Sequence, residues 1–324
     1  MNQPPDKHIQ EYMKISEQRL EMLCLQWDII PEEIYPARRG YRLRTRLGEK
    51  FLGIGTAEEV VFGWYLRQYA FKNGFTNMLR CIPNKYGDPY IISGNDAVFL
   101  TDWLNGNKWQ LRGERDMAEL SALLGEFHLK TQGFSIKGAE LPILVTPDEI
   151  IREALQMEPP PLNSQNVETF RRLFRRTEKV LAALPREAII SLSRRSLKEK
   201  LVVHGGFCVG NIIDYASEAI IVDFSDAAYG LPVWDLIFFI NDCLAVLGYD
   251  RELIRTAVIA YEDLRRLSRE EREVFSVGID LPLGFINALV KWSSHAIDSR
   301  EFNTCLMQEE ILLNRRVRPH NVSF

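Results

Sequence analysis

The chain of 324 residues is 46% hydrophobic and 26% charged, with a formal net charge of −4. A chain of this size and composition can bury a sizeable core in one large domain or in two lobes. The charge balance does not indicate binding to nucleic acid or to a membrane surface. The sequence has no run of about 18 apolar residues, so no membrane span is predicted. The first residues, MNQPPDKHIQ, lack the apolar centre of a signal peptide.

The five cysteines are widely spaced and form no Cys-x-x-Cys pair or Cys/His cluster of the kind that binds zinc. They are Cys24, Cys81, Cys208, Cys243 and Cys305. This pattern favours buried, reduced thiols in a cytosolic protein.

The first part of the chain is predicted to hold a leading helix and a small sheet. Apolar spacing predicts an amphipathic helix over 8–28. Turn signals then frame two strand-like runs, YRLRT (41–45) and KFLGIG (50–55), which predict a hairpin. A second helix is expected from Ala57, capped by Thr56, to about Lys72, where Asn-Gly ends it.

Three further strands are predicted after this helix, and helices follow them. The strands are CIPN (81–84), DPYIIS (88–93) and VFLTDW (98–103), and the helices are 118–131, 147–157, 166–183, 233–247, 250–268 and 281–297. Because the predicted strands come before most of the helices along the chain, the sequence favours an α+β fold over a doubly wound sheet. We therefore predict an N-terminal lobe over 1–98, a hinge strand over 99–106 and a helical C-terminal lobe over 107–324.

A hairpin near 211–224 carries two oxygen-bearing side chains within the helical part. Asn211 opens its first strand and Asp223 ends its second, so pairing around a turn near residue 217 should bring them together. An amide oxygen beside a carboxylate suits Mg²⁺ beneath phosphates. The alternative is an ordinary hairpin with a capping Asn and a partly exposed Asp.

The hairpin and the loop before it, HGGFCVGN (204–211), resemble the aminoglycoside phosphotransferase and choline kinase group. Its pattern is roughly HGDxxxxN, a hairpin, then DF and a later DL pair, here Asp223-Phe224 and Asp235-Leu236. The wider chain is similar to the CotS family of bacterial spore coat proteins, which carry the same kinase-like fold. The segments that support this are YRLRTRLGEKFL (41–52), YLRQYAFKNGF (65–75), FLTDWLNG (99–106), LGEFHLKTQGF (124–134), and HGGFCVGN with VDFSDA.

The resemblance implies a two-lobed protein kinase-like fold with a small antiparallel-sheet N-lobe, a mostly helical C-lobe and ATP between them. The hinge residues expected to contact adenine are Thr101, Asp102, Trp103 and Leu104. Asn211 and Asp223 would hold Mg²⁺. Asp235 would tie the catalytic loop to the following helix, and His204 would pack within that loop.

Two positions depart from the family pattern. Gly206 occupies the place of the catalytic aspartate, and no carboxylate lies elsewhere in the loop. Gly53 occupies the place of the strand lysine that grips the α- and β-phosphates, while alternation places Lys50 on the opposite face. The partner carboxylate of the following helix, Glu58 or Glu59, then has no lysine to meet. An alternative for GIGTAE (53–58) is a glycine nest that holds a phosphate at the helix N-terminus.

These departures predict a pseudokinase that binds ATP and Mg²⁺ weakly or not at all. By family resemblance it would be made in the mother-cell cytoplasm, reside in the spore coat and contact other spore coat proteins, with no nucleic acid partner. The alternatives are an active ATP-dependent small-molecule kinase with a non-standard base, and a nucleotide-sensing binding module.

Overall fold

The computed structural model describes residues 17–37, 39–136, 146–162 and 164–315, so the first part of the helix predicted over 8–28 lies outside the described residues. The chain divides into two compact units. The first comprises the described residues up to 109 together with 136 and 210–227, and the second comprises 110–135, 146–209 and 228–315.

A five-stranded antiparallel sheet forms the framework of the first unit. Its strands are β1 (Glu33–Ala37), β2 (Gly40–Thr45), β3 (Gly48–Thr56), β4 (Tyr90–Ser93) and β5 (Asp96–Asp102), in the order β1-β2-β3-β5-β4. In the central pair, Lys50 lies opposite Asp102, and Gly53 lies opposite Phe99. β5 leads into a short strand, β6 (Asn107–Lys108), which belongs to a separate sheet.

One face of the sheet packs against helix α1 (Glu17–Cys24) and the 3₁₀ turn Leu25–Trp27. The buried core that they share consists of Leu20, Cys24, Trp27, Ile29, Leu43, Leu52, Val98 and Leu100. Successive side chains on a strand alternate between faces. Phe51 and Phe99 therefore point away from this core, and both line a cavity.

Helix α2 (Ala57–Lys72) begins and ends where the sequence predicts. The hydroxyl of Thr56 accepts a hydrogen bond from the N–H of Glu59, and the Glu59 carboxylate accepts one from the N–H of Thr56. This reciprocal capping box satisfies two donors that a helix start leaves unpaired, and it fixes the first turn of α2 directly after β3.

The segment CIPN (81–84) is not the regular strand that was predicted. Pro83 has no N–H to donate to a ladder, and the segment forms one isolated antiparallel bridge, between Ile82 and Leu100. The N–H of Ile82 donates to the Leu100 carbonyl at 2.7 Å. The two strands predicted after it are present as β4 and β5.

Helices make up most of the second unit. They are α3 (Glu114–Thr131), α4 (Pro147–Leu155), α5 (Ser164–Ala183), α6 (Arg186–Glu199), α7 (Pro232–Leu247), α8 (Arg251–Glu262), α9 (Arg269–Gly278), α10 (Leu283–Ser293) and α11 (Ser299–Arg315). Helices α6, α9 and α11 were not predicted, and the helix predicted over 250–268 ends at Glu262. The sheet followed by helices confirms the predicted α+β class.

Short strands accompany these helices. After β7 (Val202–Val203), the hairpin strands β8 (Ile212–Tyr215) and β9 (Glu218–Ile221) join β6 in a three-stranded sheet of the first unit, and β10 (Ala228–Tyr229) then pairs with β7. The hairpin turn is tighter than predicted, because it uses only Ala216 and Ser217, both at positive φ.

Across the described ranges, no single helix is long and apolar enough to cross a membrane. The consecutive helices α9 and α10, bent by 78° at their junction, reach the required length and apolar character only as a pair.

Helix α3 packs closely against α8 at Gly125. A Cβ added there would lie 2.7 Å from the carbonyl oxygen of Tyr261. We therefore expect Gly125→Ala to lower the free energy of unfolding by about 1–3 kcal/mol, although alanine favours a helix interior by about 1 kcal/mol. Gly63→Ala in α2 is the matched control, because its nearest contacts would lie at 3.6 Å or beyond. Denaturant unfolding of both variants tests this, and equal effects would contradict the packing argument.

Candidate functional site

A cavity of about 380 Å³ lies within the first unit. Its walls come from the sheet, from α2, and from the residues that flank the β8–β9 hairpin. Every residue that lines it belongs to the first unit. Both polar and apolar side chains face it, as in pockets that hold small ligands.

The four predicted hinge residues form one wall of this cavity. Thr101, Asp102, Trp103 and Leu104 all line it. The N–H of Trp103 donates to the carbonyl of Glu49 at 3.0 Å, which extends the β3–β5 pairing past the end of β5. The Trp103 ring lies under the guanidinium of Arg42, at 5.1 Å from ring centroid to Cζ. The wall is therefore fixed through both backbone and side chain.

Asn211 and Asp223 both line the cavity. The pairing differs by one residue from the prediction, because the turn is centred between Ala216 and Ser217. The N–H of Val222 donates to the Asn211 carbonyl at 3.0 Å, so Asn211 lies opposite Val222, and Asp223 follows one residue later. The structure thus brings the two predicted metal ligands to the same end of the hairpin.

Asp223 has a backbone φ of 61°, a left-handed conformation that aspartate tolerates better than most residues. Its carboxylate accepts a hydrogen bond from the Ser225 hydroxyl at 2.7 Å. Among the described residues, no group of three or more His, Cys, Asp or Glu side chains could hold a metal ion. A cation at Asp223 and Asn211 would therefore need further oxygen ligands from the bound molecule.

Gly53, the position at which the resemblance places a strand lysine, is covered by an aromatic ring. A Cβ added to Gly53 would lie 2.2–2.8 Å from ring atoms of Phe99. Real Cβ atoms do not approach other atoms so closely, so any side chain at position 53 would displace this ring. Phe51 contacts Phe99 edge-to-face, with 6.2 Å between the ring centroids.

The neighbouring charges are arranged without that lysine. Lys50 pairs with Asp102 at 2.5 Å. Glu59, one of the two carboxylates predicted to lack a lysine partner, accepts hydrogen bonds from Arg39 at 3.1 and 3.3 Å. Arg39 lies in the turn between β1 and β2. The acidic side chain of α2 is therefore neutralised by an arginine of that turn.

The alternative of a phosphate-binding glycine nest over 53–58 is wrong. Gly53 and Gly55 belong to the extended strand β3 and do not adopt positive φ. The first turn of α2 is capped by Thr56 and Glu59, and a carboxylate at that place disfavours an anion.

The loop that carries Gly206 belongs to the second unit and is held by helix α7. Asp235 is 3% exposed, and its carboxylate accepts hydrogen bonds from the N–H of His204 at 2.6 Å and of Gly205 at 3.1 Å. Two turns further along α7, Asp242 accepts one from the N–H of Val209 at 2.9 Å. Burial raises the pKa of Asp242. The loop backbone is thus anchored near both ends.

The side chain of His204 is fully buried. Its Nδ1 accepts a hydrogen bond from the N–H of Gly206 at 3.3 Å. The ring packs edge-to-face on Phe127 and Phe207, at centroid distances of 6.1 and 5.9 Å. The structure therefore places His204 inside the second unit as a packing residue of the loop.

Sequence reasoning missed His128, which also supports the loop. The Arg265 guanidinium donates to the Tyr261 hydroxyl at 3.0 Å, so this hydroxyl donates in turn to His128 Nδ1 at 2.8 Å. The proton of His128 then lies on Nε2 and is donated to Asp235 at 3.1 Å. Burial is the main cause of a lowered His128 pKa, which keeps the imidazole neutral.

The sequence analysis also missed Arg67. It lies on the inner side of α2 and lines the cavity. One signal was present in the sequence, because Val60, Gly63, Arg67 and Ala70 recur at helical spacing and all four are buried. An arginine within an otherwise apolar stripe marks either a buried ion pair or a binding site.

Comparison with known proteins is consistent with this geometry. A family model described as "Phosphotransferase enzyme family" matches residues 96–271, just over half of the chain. The structure is similar to an aminoglycoside phosphotransferase from Alicyclobacillus acidocaldarius, with a TM-score of 0.74, 14% identity and 94% of each chain covered.

Two further solved structures are also similar. An amicoumacin kinase in complex with AMP-PNP and Ca²⁺ has a TM-score of 0.64 at 13% identity, with 94% of each chain covered. A spectinomycin phosphotransferase in complex with ADP and spectinomycin has a TM-score of 0.57 at 14% identity, covering 94% of this chain and 99% of that one. The likeness confirms the predicted kinase-like phosphotransferase fold.

We expect Asp235→Ala to destabilise the protein by about 3 kcal/mol or more, because it leaves the donors of His204, Gly205 and His128 without a buried acceptor. Asp226→Ala is the control. It removes an exposed carboxylate, so it should change the free energy of unfolding by less than about 0.5 kcal/mol. Urea unfolding of both variants decides this, and an Asp235→Ala protein as stable as the parent would refute the anchoring role.

His128 should make stability depend on pH. The folded state keeps it neutral, since its pKa lies below the unfolded value of 6.5, so only the unfolded chain takes up this proton as the pH falls below 6.5. The contribution of His128 to the free energy of unfolding is therefore fully present above pH 6.5. As the pH falls below 6.5, this contribution decreases by at most about 1.4 kcal/mol per pH unit.

The neighbouring groups Asp235, Tyr261, Arg265 and Glu271 remain in a His128→Gln variant, which isolates the histidine. The difference in the free energy of unfolding between the parent and this variant should decrease as the pH is lowered from about 7.5 to about 5.5. A gap that stays constant over this range would show that His128 does not titrate on unfolding.

Proposed function

Because the chain belongs to the phosphotransferase enzyme family, we propose that it keeps a nucleotide-binding cavity but has lost efficient phosphoryl transfer, and that it serves as a component or assembly factor of the bacterial spore coat. The nucleotide would be ATP with Mg²⁺, weakly bound. The partners would be other spore coat proteins.

The main support for the proposed loss of activity is the close contact between the Phe99 ring and Gly53. Phosphoryl transfer depends almost entirely on positioning and charge stabilisation, and a lysine that cradles the phosphates is part of both. At position 53 the ring leaves no room even for a Cβ. A lysine there would have to displace an aromatic side chain that also lines the cavity.

The composition of the loop over 204–211 supports the same conclusion. Gly206 stands where the family pattern has its catalytic aspartate, and the loop contains no other carboxylate. Loss of a general base removes about 10²–10⁴ of the rate. The loop keeps its backbone anchors at Asp235 and Asp242, so the scaffold remains without the reacting group.

Retention of nucleotide binding is supported by the hinge wall and by the pair Asn211 and Asp223, all of which line one cavity. An amide oxygen and a carboxylate are suitable ligands for Mg²⁺, with phosphate oxygens completing the shell. The solved structures with AMP-PNP and with ADP show that similar folds hold such nucleotides.

The spore coat role is supported by the segments that resemble the CotS family, which are distributed from 41 to 227. The protein would be made in the mother-cell cytoplasm and incorporated in the coat. The competing function is an active small-molecule kinase with a non-standard base, which the retained Asn211 and Asp223 favour.

The activity test is ATP turnover, alone and with aminoglycosides, choline or homoserine. We expect none from the parent and little from Gly206→Asp, because the phosphates would still lack the strand lysine. The gain in ATP turnover of the triple variant Gly53→Lys, Phe99→Ala, Gly206→Asp should exceed the sum of the gains from the separate substitutions. The reason is that the effects of groups that act together are not additive. Adding Asp223→Ala to this triple variant should abolish the gain.

Robust turnover by the parent protein would overturn the pseudokinase proposal in favour of the competing kinase. Strong turnover by Gly206→Asp alone would show that phosphoryl transfer does not need a lysine at position 53. For the coat role, a fluorescent fusion should form a shell around the developing spore, and an even signal throughout vegetative cells would contradict it.

A further inference from the structure

Arg67 is a buried cation in contact with two aromatic rings. Its side chain is 9% exposed, and its Cζ lies 5.7 Å from the ring centroid of Phe99 and 4.9 Å from that of Phe224. Gly63, one turn earlier on α2, has no side chain, and its place lies within 4 Å of Phe224. This lets the helix approach the segment that carries Asp223 and Phe224.

Among the described residues, the guanidinium of Arg67 forms no ion pair with a carboxylate. Its Nε is buried without a hydrogen-bond partner. The polar contact that it makes is from Nη1 to the sulfur of Cys81 at 3.7 Å. Burial raises the pKa of Cys81 despite the nearby arginine, so at neutral pH this thiol is uncharged and does not neutralise the guanidinium.

The other cations near the cavity are already neutralised or hydrated. Arg39 is paired with Glu59, and Lys50 is paired with Asp102. Lys108 also lines the cavity, but its side chain is exposed. A buried charge without a counter-ion is unfavourable, and an anion in the cavity would remove that penalty at Arg67.

The same ring that excludes a lysine at position 53 also supports this arginine. Phe99 covers Gly53 on the strand and contacts the guanidinium of Arg67 on the helix. A guanidinium packed against two rings is held in place, and its planar array of donors matches two oxygens of a phosphate. The positive charge is therefore supplied by the helix instead of the strand.

We infer that Arg67 binds the phosphate groups of a nucleoside di- or triphosphate in this cavity, in place of the missing strand lysine. The inference rests on the proposed nucleotide-binding function. Arg67 and Asp223 line the same cavity, so the phosphates would neutralise the arginine and also supply oxygens to a cation at Asp223.

The test compares ADP with adenosine by calorimetric titration in the presence of Mg²⁺. Arg67→Met should weaken ADP binding by about tenfold to a hundredfold, the effect of losing hydrogen bonds to a charged group, and leave adenosine binding unchanged. Arg67→Lys keeps the positive charge but not the planar set of guanidinium donors, so it should weaken ADP binding less than Arg67→Met does. Arg80→Met is the matched control. Arg80 also stacks on a ring, that of Phe71 at 4.2 Å, but does not line the cavity.

A second readout is thermal stability. Without ligand, Arg67→Met should melt at the parent's temperature or above it, because the substitution removes an unpaired buried charge. A purely structural arginine would give a lower melting temperature. Pyrophosphate should raise the melting temperature of the parent but not that of Arg67→Met, which tests the anion site independently of adenine.

The outcomes separate the two proposals. If ADP binds the parent and Arg67→Met equally well, the role of Arg67 is wrong and nucleotide binding stands. If adenosine and ADP fail to bind but pyrophosphate stabilises only proteins with Arg67, the anion site stands and the nucleotide proposal fails. If neither nucleotide nor pyrophosphate binds, both proposals are overturned.

Should Arg67→Met fail to fold, the Arg67→Lys variant provides the test. An ADP affinity of Arg67→Lys equal to that of the parent would contradict the inference.

Discussion

The contact between Phe99 and Gly53 limits which side chains the sheet can present to the cavity. Because β3 and β5 pair in a register that sets these residues opposite each other, the ring lies over a strand position that has no side chain. The ring leaves no space for a side chain at position 53, and its centroid also lies 5.7 Å from the Cζ of Arg67. One aromatic side chain therefore fills the strand position where the resemblance implies a lysine and also contacts the buried cation of α2.

The second unit shows the complementary case, in which a buried carboxylate fixes the backbone of the loop that carries Gly206. Asp235 receives three hydrogen bonds, from two loop amides and from His128. A buried carboxylate needs such partners, and each donor would be unsatisfied without it. The arrangement contributes to folding stability independently of any reaction, so the backbone conformation of the loop does not depend on a carboxylate at position 206.

Much of the fold was predictable because it depends on local signals. The capping residue Thr56 and the Asn-Gly stop bound α2, and turn residues locate the hairpin to within one position. The network around His128 and the role of Arg67 were not predictable in the same way. Each depends on which distant side chains meet, and the sequence offers only an unexplained polar residue within an apolar helical stripe. The filling of the Gly53 position by Phe99 required the strand register, which no local pattern specifies.

Binding and transfer make different demands on such a site, and the described residues meet them unequally. Transfer requires a base and several charges placed around one phosphoryl group to within fractions of an ångström. Binding requires that buried charges find partners. Arg67 lacks an acidic partner, and Asp223 with Asn211 offers only part of a cation's ligands. In the proposed complex, a phosphate ligand would neutralise Arg67 and supply oxygens to a cation at Asp223. The proposed loss of transfer is therefore compatible with retained binding, since charge balance in the cavity would favour an occupied state whether or not chemistry follows.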